Sequence, residues 1–181
     1  MNAPKTYAEW SKLMAIFKEQ KSNDEECLAA MEKGGIEWTA GIAEKMTQQA
    51  YAVIESRLQA AAQSFNAELN RAGGQEASIV KALTNVRTRF AMLQRFCQLP
   101  VFPEKVRSTL SDVLNRYIDD TQQSLVASAR EDRSGKLAHL VKSNSLTNYT
   151  QSYTPARNIG SSNDSSGYGN GQSSKRRRVL F

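Results

Sequence analysis

The sequence predicts an all-α fold: an elongated antiparallel helical bundle of three long helices, with short N-terminal helices packed across it and a disordered C-terminal tail. Apolar residues recur at spacings of three and four over most of residues 1–145, which is the period of an amphipathic helix. No segment alternates apolar and polar residues as a half-buried strand does. The connections are short, so we expect successive long helices to lie side by side in opposite directions.

Two short helices are expected at the start of the chain. Thr6 followed by Glu9 forms a capping box, in which the two side chains bind free N–H groups at the beginning of a helix. Ser22 and Glu25 repeat that spacing and predict a second helix start. We expect the second helix to end at the Gly-Gly pair that follows it, since glycine tolerates the backbone conformation of a helix stop.

Three long helices follow. The first covers about residues 38–72 and ends at another Gly-Gly pair, and the second carries its apolar stripe over residues 79–97. Pro103 suits the first position of the third helix, where its missing N–H costs no hydrogen bond, and this helix should reach about residue 134. A short helix is expected around residues 137–141.

Charge is unevenly distributed along the 181 residues, whose formal net charge is +6. Residues 1–76 hold 8 Lys/Arg against 11 Asp/Glu, residues 77–153 hold 11 against 6, and residues 154–181 hold 5 against 1. Such asymmetry is typical of self-association or of a basic surface for an anionic partner. With no signal-peptide pattern and no run of 18 apolar residues, we expect a cytoplasmic protein without a membrane partner, or a nuclear or nucleic-acid-associated one.

Few residues are candidates for catalysis. His139 is the single histidine, and Cys27 and Cys97 fall on or beside apolar stripes, so we interpret both thiols as core residues. One histidine and two distant cysteines match no common zinc or di-iron pattern, and no glycine-rich phosphate-binding motif occurs. The sequence therefore predicts no enzyme, no catalytic residue, no cofactor and no metal.

Arginines on the second and third long helices are a candidate nucleic-acid footprint. Arg87 and Arg95 are eight residues apart, close to two helical turns, so they can share a face. An ordinary solvated helix surface explains the same charges and is the favoured interpretation. The candidate nucleic-acid-binding residues are Arg87, Arg95, Arg107 and Arg116.

The chain changes character after residue 145. Residues 146–174 are rich in Ser, Asn and Gly and poor in aliphatic side chains, so they cannot bury enough surface to offset the entropy of ordering. We therefore divide the chain into a helical domain (1–145), a disordered linker (146–174) and a basic-apolar C-terminal peptide (175–181).

The C-terminal peptide is the feature that folding leaves unexplained. Its apolar side chains suit a pocket on a protein partner, and its cations can steer the encounter, direct nuclear import or contact nucleic acid. Its last four residues resemble the Arg-x-Leu-Phe docking peptides that bind cyclins. They are also similar to the Leu-Phe ends that dock onto sliding clamps, although the glutamine of those peptides is missing. The predicted partner-binding residues are Lys175, Arg176, Arg177, Arg178, Val179, Leu180 and Phe181.

Three functions remain open from the sequence. The favoured one is a non-enzymatic adaptor or scaffold that docks a protein partner through its C-terminal peptide, with self-association as a further interaction. The first alternative is a nucleic-acid-associated protein that uses the basic second half and tail. The second alternative is a thiol-dependent enzyme, which the apolar surroundings of both cysteines disfavour.

Overall fold

The computed structural model describes residues 1–131 and 136–152, and within these ranges all regular structure is helical. The all-α prediction is thereby confirmed for this part of the chain. Most of the predicted linker and the whole C-terminal peptide lie outside the described residues. The elements are α1 (Tyr7–Lys18), α2 (Asp24–Glu32), α3 (Ala40–Ala72), α4 (Glu76–Cys97), α5 (Glu104–Glu131), α6 (Lys136–Ser143) and a 3₁₀ helix (Leu146–Ser152).

The first predicted capping box is confirmed. The Thr6 hydroxyl accepts a hydrogen bond from the backbone N–H of Glu9 at 3.3 Å, and the Glu9 carboxylate accepts one from the Thr6 N–H at 3.1 Å. The same carboxylate accepts a bond from the Lys5 N–H at 2.7 Å. These backbone hydrogen bonds, from Lys5 and then from Thr6, lower the pKa of Glu9.

The second predicted capping box is wrong by one residue. Asn23, not Ser22, caps α2, and its side-chain oxygen accepts from the Glu25 N–H at 3.0 Å. Asparagine is at least as good an N-cap as serine, so Asn23 can take the N-cap position in place of Ser22. The Ser22 hydroxyl instead lies 3.0 Å from the sulfur of Cys27, on the edge of the core.

The two Gly-Gly pairs have different roles. Gly73 has φ +55°, the left-handed conformation that ends α3, as predicted. By contrast, α2 already ends at Glu32, before the first pair. Gly34 is required for close packing, because a Cβ there would lie 2.7 Å from the Trp10 ring and 2.8 Å from Pro4.

The core is continuous from the N-terminal helices to the start of α5. Phe17 of α1 stacks on Phe96 of α4 with ring centroids 5.4 Å apart, and Phe96 meets Phe102 edge-on at 5.6 Å. All three rings are almost completely buried. α4 packs against α2, α3, α5, α6 and the 3₁₀ helix, so it is the central element of the described part.

The described chain still packs against the core at residue 146, where the linker was expected to start. Leu146 is fully buried and Tyr149 is 6% exposed, so the folded part continues at least to Tyr149. The Tyr149 hydroxyl donates to Asn115 at 3.0 Å, and the Leu146 N–H donates to the Gln122 side chain at 2.8 Å. The segment is polar on average, but it is ordered because two of its side chains are buried and two of its polar groups bond to side chains of α5.

The guanidinium of Arg57 is the most deeply buried charge among the described residues, with 4% of the residue exposed. It lies on α3, donates to the backbone oxygen of Phe17 at 3.2 Å and forms an ion pair with Asp24. Its central carbon lies 4.6 Å from the centroid of the Phe17 ring. One cation thus binds the last turn of α1 and the first turn of α2, where the helix dipoles favour a cation and an anion respectively.

Replacing Asp24 by alanine should strongly destabilise the fold, because it leaves the buried Arg57 cation without its carboxylate. Breaking a buried pair in this way typically costs about 3 kcal/mol or more of unfolding free energy. Urea unfolding of the Asp24→Ala variant measures this loss. The control is Glu104→Ala, which breaks the ion pair with Arg107 at a carboxylate that is 83% exposed, where pairs contribute about 0–1 kcal/mol. Equal losses in the two variants would contradict the role given to Arg57.

Candidate functional site

Helices α3, α4, α5 and α6 enclose an open groove of about 760 Å³, which we name the α3–α5 groove. This volume lies within the range of about 300–1,000 Å³ typical of ligand-binding sites. The groove is lined by Ala62, Phe65, Asn66, Leu69, Gly74, Glu76, Ile79, Tyr117, Asp120, Thr121, Ser124, Leu125, Ser128, Leu137 and Leu140.

The floor of the groove is apolar because helical spacing brings apolar side chains to one side. Phe65 and Leu69 are one turn apart on α3, and Leu137 and Leu140 are one turn apart on α6. Phe65 is 3% exposed, whereas the three leucines are only partly buried. The groove therefore presents leucine surface that the described part of the chain does not cover.

The rim of the groove is acidic. Glu76 in the first turn of α4 and Asp120 on α5 both line it, and both are exposed. The exposed hydroxyl residues Ser124 and Ser128 lie one and two turns further along α5. No lysine or arginine is found among the lining residues that the structure describes. This arrangement favours an apolar ligand that carries positive charge at one end.

The structure places the predicted nucleic-acid-binding arginines in different environments. Arg95 is paired with Glu25 and with Glu32, the latter at 2.8 Å. Burial lowers the pKa of Arg95, but the hydrogen bonds that Arg95 donates to these two carboxylates, together with their charges, outweigh it, so its pKa is raised. An arginine already held by two carboxylates offers little positive field to a phosphate.

The other three candidate arginines follow on α4 and α5. Arg107 is paired with Glu104, one turn earlier on α5. Arg87 donates to the backbone oxygen of Asn148 at 3.3 Å and so helps to hold the 3₁₀ helix. Arg116 is exposed on α5. The Arg95 ion pairs join α4 to α2, far apart in sequence, which explains why helical periodicity alone did not indicate them.

A second, polar cavity of about 500 Å³ lies between α3 and α4. The Glu68 carboxylate there accepts hydrogen bonds from Arg89 and Asn85, each at 2.9 Å, and from Ser64 at 3.2 Å. Burial raises the pKa of Glu68, but these hydrogen bonds and the Arg89 charge outweigh it, so its pKa is lowered. The Glu68 network joins α3 to α4.

The Glu68 network should stabilise the fold above the ordinary glutamate pKa of 4.5 and lose that contribution as the pH falls through the lowered pKa. Between about pH 5 and pH 3, the melting temperature of the Glu68→Gln variant should therefore fall less than that of the wild type. Thermal unfolding across this range is the measurement. Glu55→Gln, at an exposed position on α3, should keep the wild-type pH dependence. If the melting temperature of Glu68→Gln falls with decreasing pH as steeply as that of the wild type, the network does not contribute to stability.

Both thiols lie in the core, as predicted. Burial raises the pKa of Cys97 to about 12. Cys27 is fully buried, with its sulfur 3.6 Å from that of Met1. His139 is exposed on α6. The described residues contain no group of three or more His, Cys, Asp or Glu that could hold a metal ion, and none of the helices in them is long and apolar enough to span a membrane.

Iodoacetamide at neutral pH should leave Cys97 of the native protein unmodified, since only the thiolate reacts and burial disfavours it. In denaturant both cysteines should react at the rate of a free thiol. Peptide mass spectrometry of the two samples identifies the modified residues. Rapid alkylation of native Cys97 would contradict its burial and revive the thiol-dependent alternative.

The predicted partner-binding peptide, residues 175–181, lies outside the described residues, so its role stays a prediction. The groove was missed by the sequence analysis, because periodicity shows which residues share an apolar face but not which of them remain uncovered. In comparisons with known proteins, the chain matches no family model, no curated protein and no solved structure.

Proposed function

We propose that this protein is a non-enzymatic interaction protein, an adaptor or scaffold that binds protein segments. The observation that carries the proposal is the α3–α5 groove, with its partly covered leucine floor and its acidic rim. Apolar grooves between helices are a common way to bind short peptides and amphipathic helices. The C-terminal peptide is the second binding element, which docks onto a partner through its apolar residues.

The proposal includes the architecture expected from the sequence, an elongated antiparallel bundle of α3, α4 and α5. Its support comes from contacts between α3 and α4. Glu68, late in α3, bonds to Asn85 and Arg89, whereas Arg57, earlier in α3, shares a cavity with Leu93, further along α4. Positions that rise in one helix while they fall in the other are typical of antiparallel neighbours.

An enzymatic function is disfavoured by the surroundings of the candidate nucleophiles. Both cysteines are buried, and burial raises the pKa of Cys97. His139, the single histidine, is exposed on α6. Nucleophilic catalysis needs a reactive thiolate or hydroxyl with a base in reach, which these positions do not favour.

A nucleic-acid-associated function is the second candidate. It is favoured by the exposed Arg116 and by the excess of Lys/Arg over Asp/Glu after residue 76. The carboxylates that pair with Arg95 and Arg107 count against it. Binding of this kind depends on counterion release and therefore weakens steeply with salt.

Partner capture tests the adaptor function. Full-length protein should recover specific proteins from cell extract, and the Leu180→Ala/Phe181→Ala variant should lose them, because the apolar anchors are gone. The matched control, Ser173→Ala/Ser174→Ala, should recover the wild-type set. Quantitative mass spectrometry compares the three baits. Identical recovery by all three would overturn docking through the peptide.

Nucleic acid that binds wild type tightly at low salt and loses that affinity at high salt would favour the second candidate.

A further inference from the structure

We propose that the α3–α5 groove is the binding site for the chain's own C-terminal peptide, residues 175–181. The apolar residues Val179 to Phe181 bind the leucine floor, and the cations Lys175 to Arg178 lie against the acidic rim. This proposal rests on the proposed function, because it takes the groove and the C-terminal peptide to be binding elements. It adds a closed state in which these two elements bind each other and neither is open to a partner.

Apolar surface is matched on the two sides. Leu69, Leu137 and Leu140 keep part of their surface open to solvent above the buried Phe65. The peptide brings three consecutive apolar side chains, Val179, Leu180 and Phe181. Removing both sets from water on contact is the expected driving force.

Charge is complementary as well. The peptide contributes four consecutive cations, and Glu76 and Asp120 line the groove with carboxylates. No described lysine or arginine lines the groove to oppose them. The attraction is partly screened because both carboxylates are exposed, so it should orient the peptide and weaken with salt.

The attachment point of the tail is close to the groove. Tyr149 meets Phe90 edge-on with centroids 6.4 Å apart, and Phe90 meets Tyr117, a groove residue, at 6.3 Å. Tyr149 also donates to Asn115, and the step along α5 from Asn115 to Asp120 is only about 8 Å. Tyr149, three residues before the end of the described part, is therefore separated from the groove residue Tyr117 by the single ring of Phe90.

The intervening chain is long enough to reach the groove. Residues 153–174 number 22, and a chain of that length spans at most about 75 Å when fully extended. A tethered peptide meets its site at an effective concentration that reaches about millimolar for short flexible tethers. This advantage favours the peptide of the same chain over the peptide of a second copy at ordinary protein concentrations.

Photo-crosslinking in the full-length chain tests the contact. A p-benzoylphenylalanine in place of Phe181 should, on irradiation, crosslink to α3, α5 or α6 residues that line the groove. The product should run at the mass of a single chain on a denaturing gel, and peptide mass spectrometry locates the crosslink. Crosslinks only at dimer mass would assign the groove to a second copy. Crosslinks elsewhere, or none, would equally overturn the proposal.

Two variants on the exposed surface of α5 provide a matched comparison. Ser124→Arg places a long cation in the groove, whereas Gln123→Arg places the same side chain on the neighbouring residue, which does not line it. Ser124→Arg should lower the crosslink yield severalfold, and Gln123→Arg should leave it unchanged. Both wild-type residues are exposed, so equal urea unfolding curves are expected. Equal crosslink yields in the two variants would contradict docking in the groove.

The same variants separate this proposal from the adaptor function. Ser124→Arg should release the peptide and so increase recovery of the proteins that wild type captures through Leu180 and Phe181. Capture that depends on these residues without crosslinks to the groove would leave the adaptor function standing and remove the closed state. Crosslinks to the groove without any captured protein would support the closed state and remove the adaptor function.

Discussion

The arrangement of the N-terminal helices depends on one buried cation, Arg57. An unpaired guanidinium at this depth is strongly unfavourable, so α3 forms stably here only with the last turn of α1 and the first turn of α2 in place. The Phe17 that supplies the backbone oxygen also stacks on Phe96, which in turn meets Phe102. A single charge is thereby linked, through three aromatic rings, to the connection between α4 and α5.

The position of the groove follows from this arrangement. The hydrogen bonds that join α1 and α2 to α3 reach only to the middle of α3: Gln49 donates to Tyr7 and Ser11, and Arg57 donates to Phe17 and Asp24. α3 has 33 residues, so its second half extends past these helices and must be covered by other elements. The eight-residue α6 packs on α4 and α5, and its two leucines line the groove and stay partly exposed. The second half of α3 therefore borders a groove that α6 does not fill.

Local signals predicted most of the fold and none of the site. Helix periodicity and the Thr6 cap act within a few residues, so the all-α fold and the first helix start could be inferred directly. The burial of Tyr149 depends on Asn115 and Gln94, 34 and 55 residues away, and averaged composition hides it. The groove needs four helices at once, so no stretch of sequence carries its signature.

A groove that exposes leucines is costly to keep unless something occupies it, and the length of the linker bears on what that is. Loop closure becomes less favourable by only about 0.6 kcal/mol for each doubling of length. If the peptide docks as proposed, the 22 residues between the described part and the peptide retain most of the tethering advantage while allowing the peptide to leave. A short, rigid connection would hold the peptide in the groove permanently. Without any connection, the groove would have to bind a separate peptide from solution. An intermediate tether suits a contact that must exchange with a partner, because the partner has only a modest intramolecular affinity to overcome.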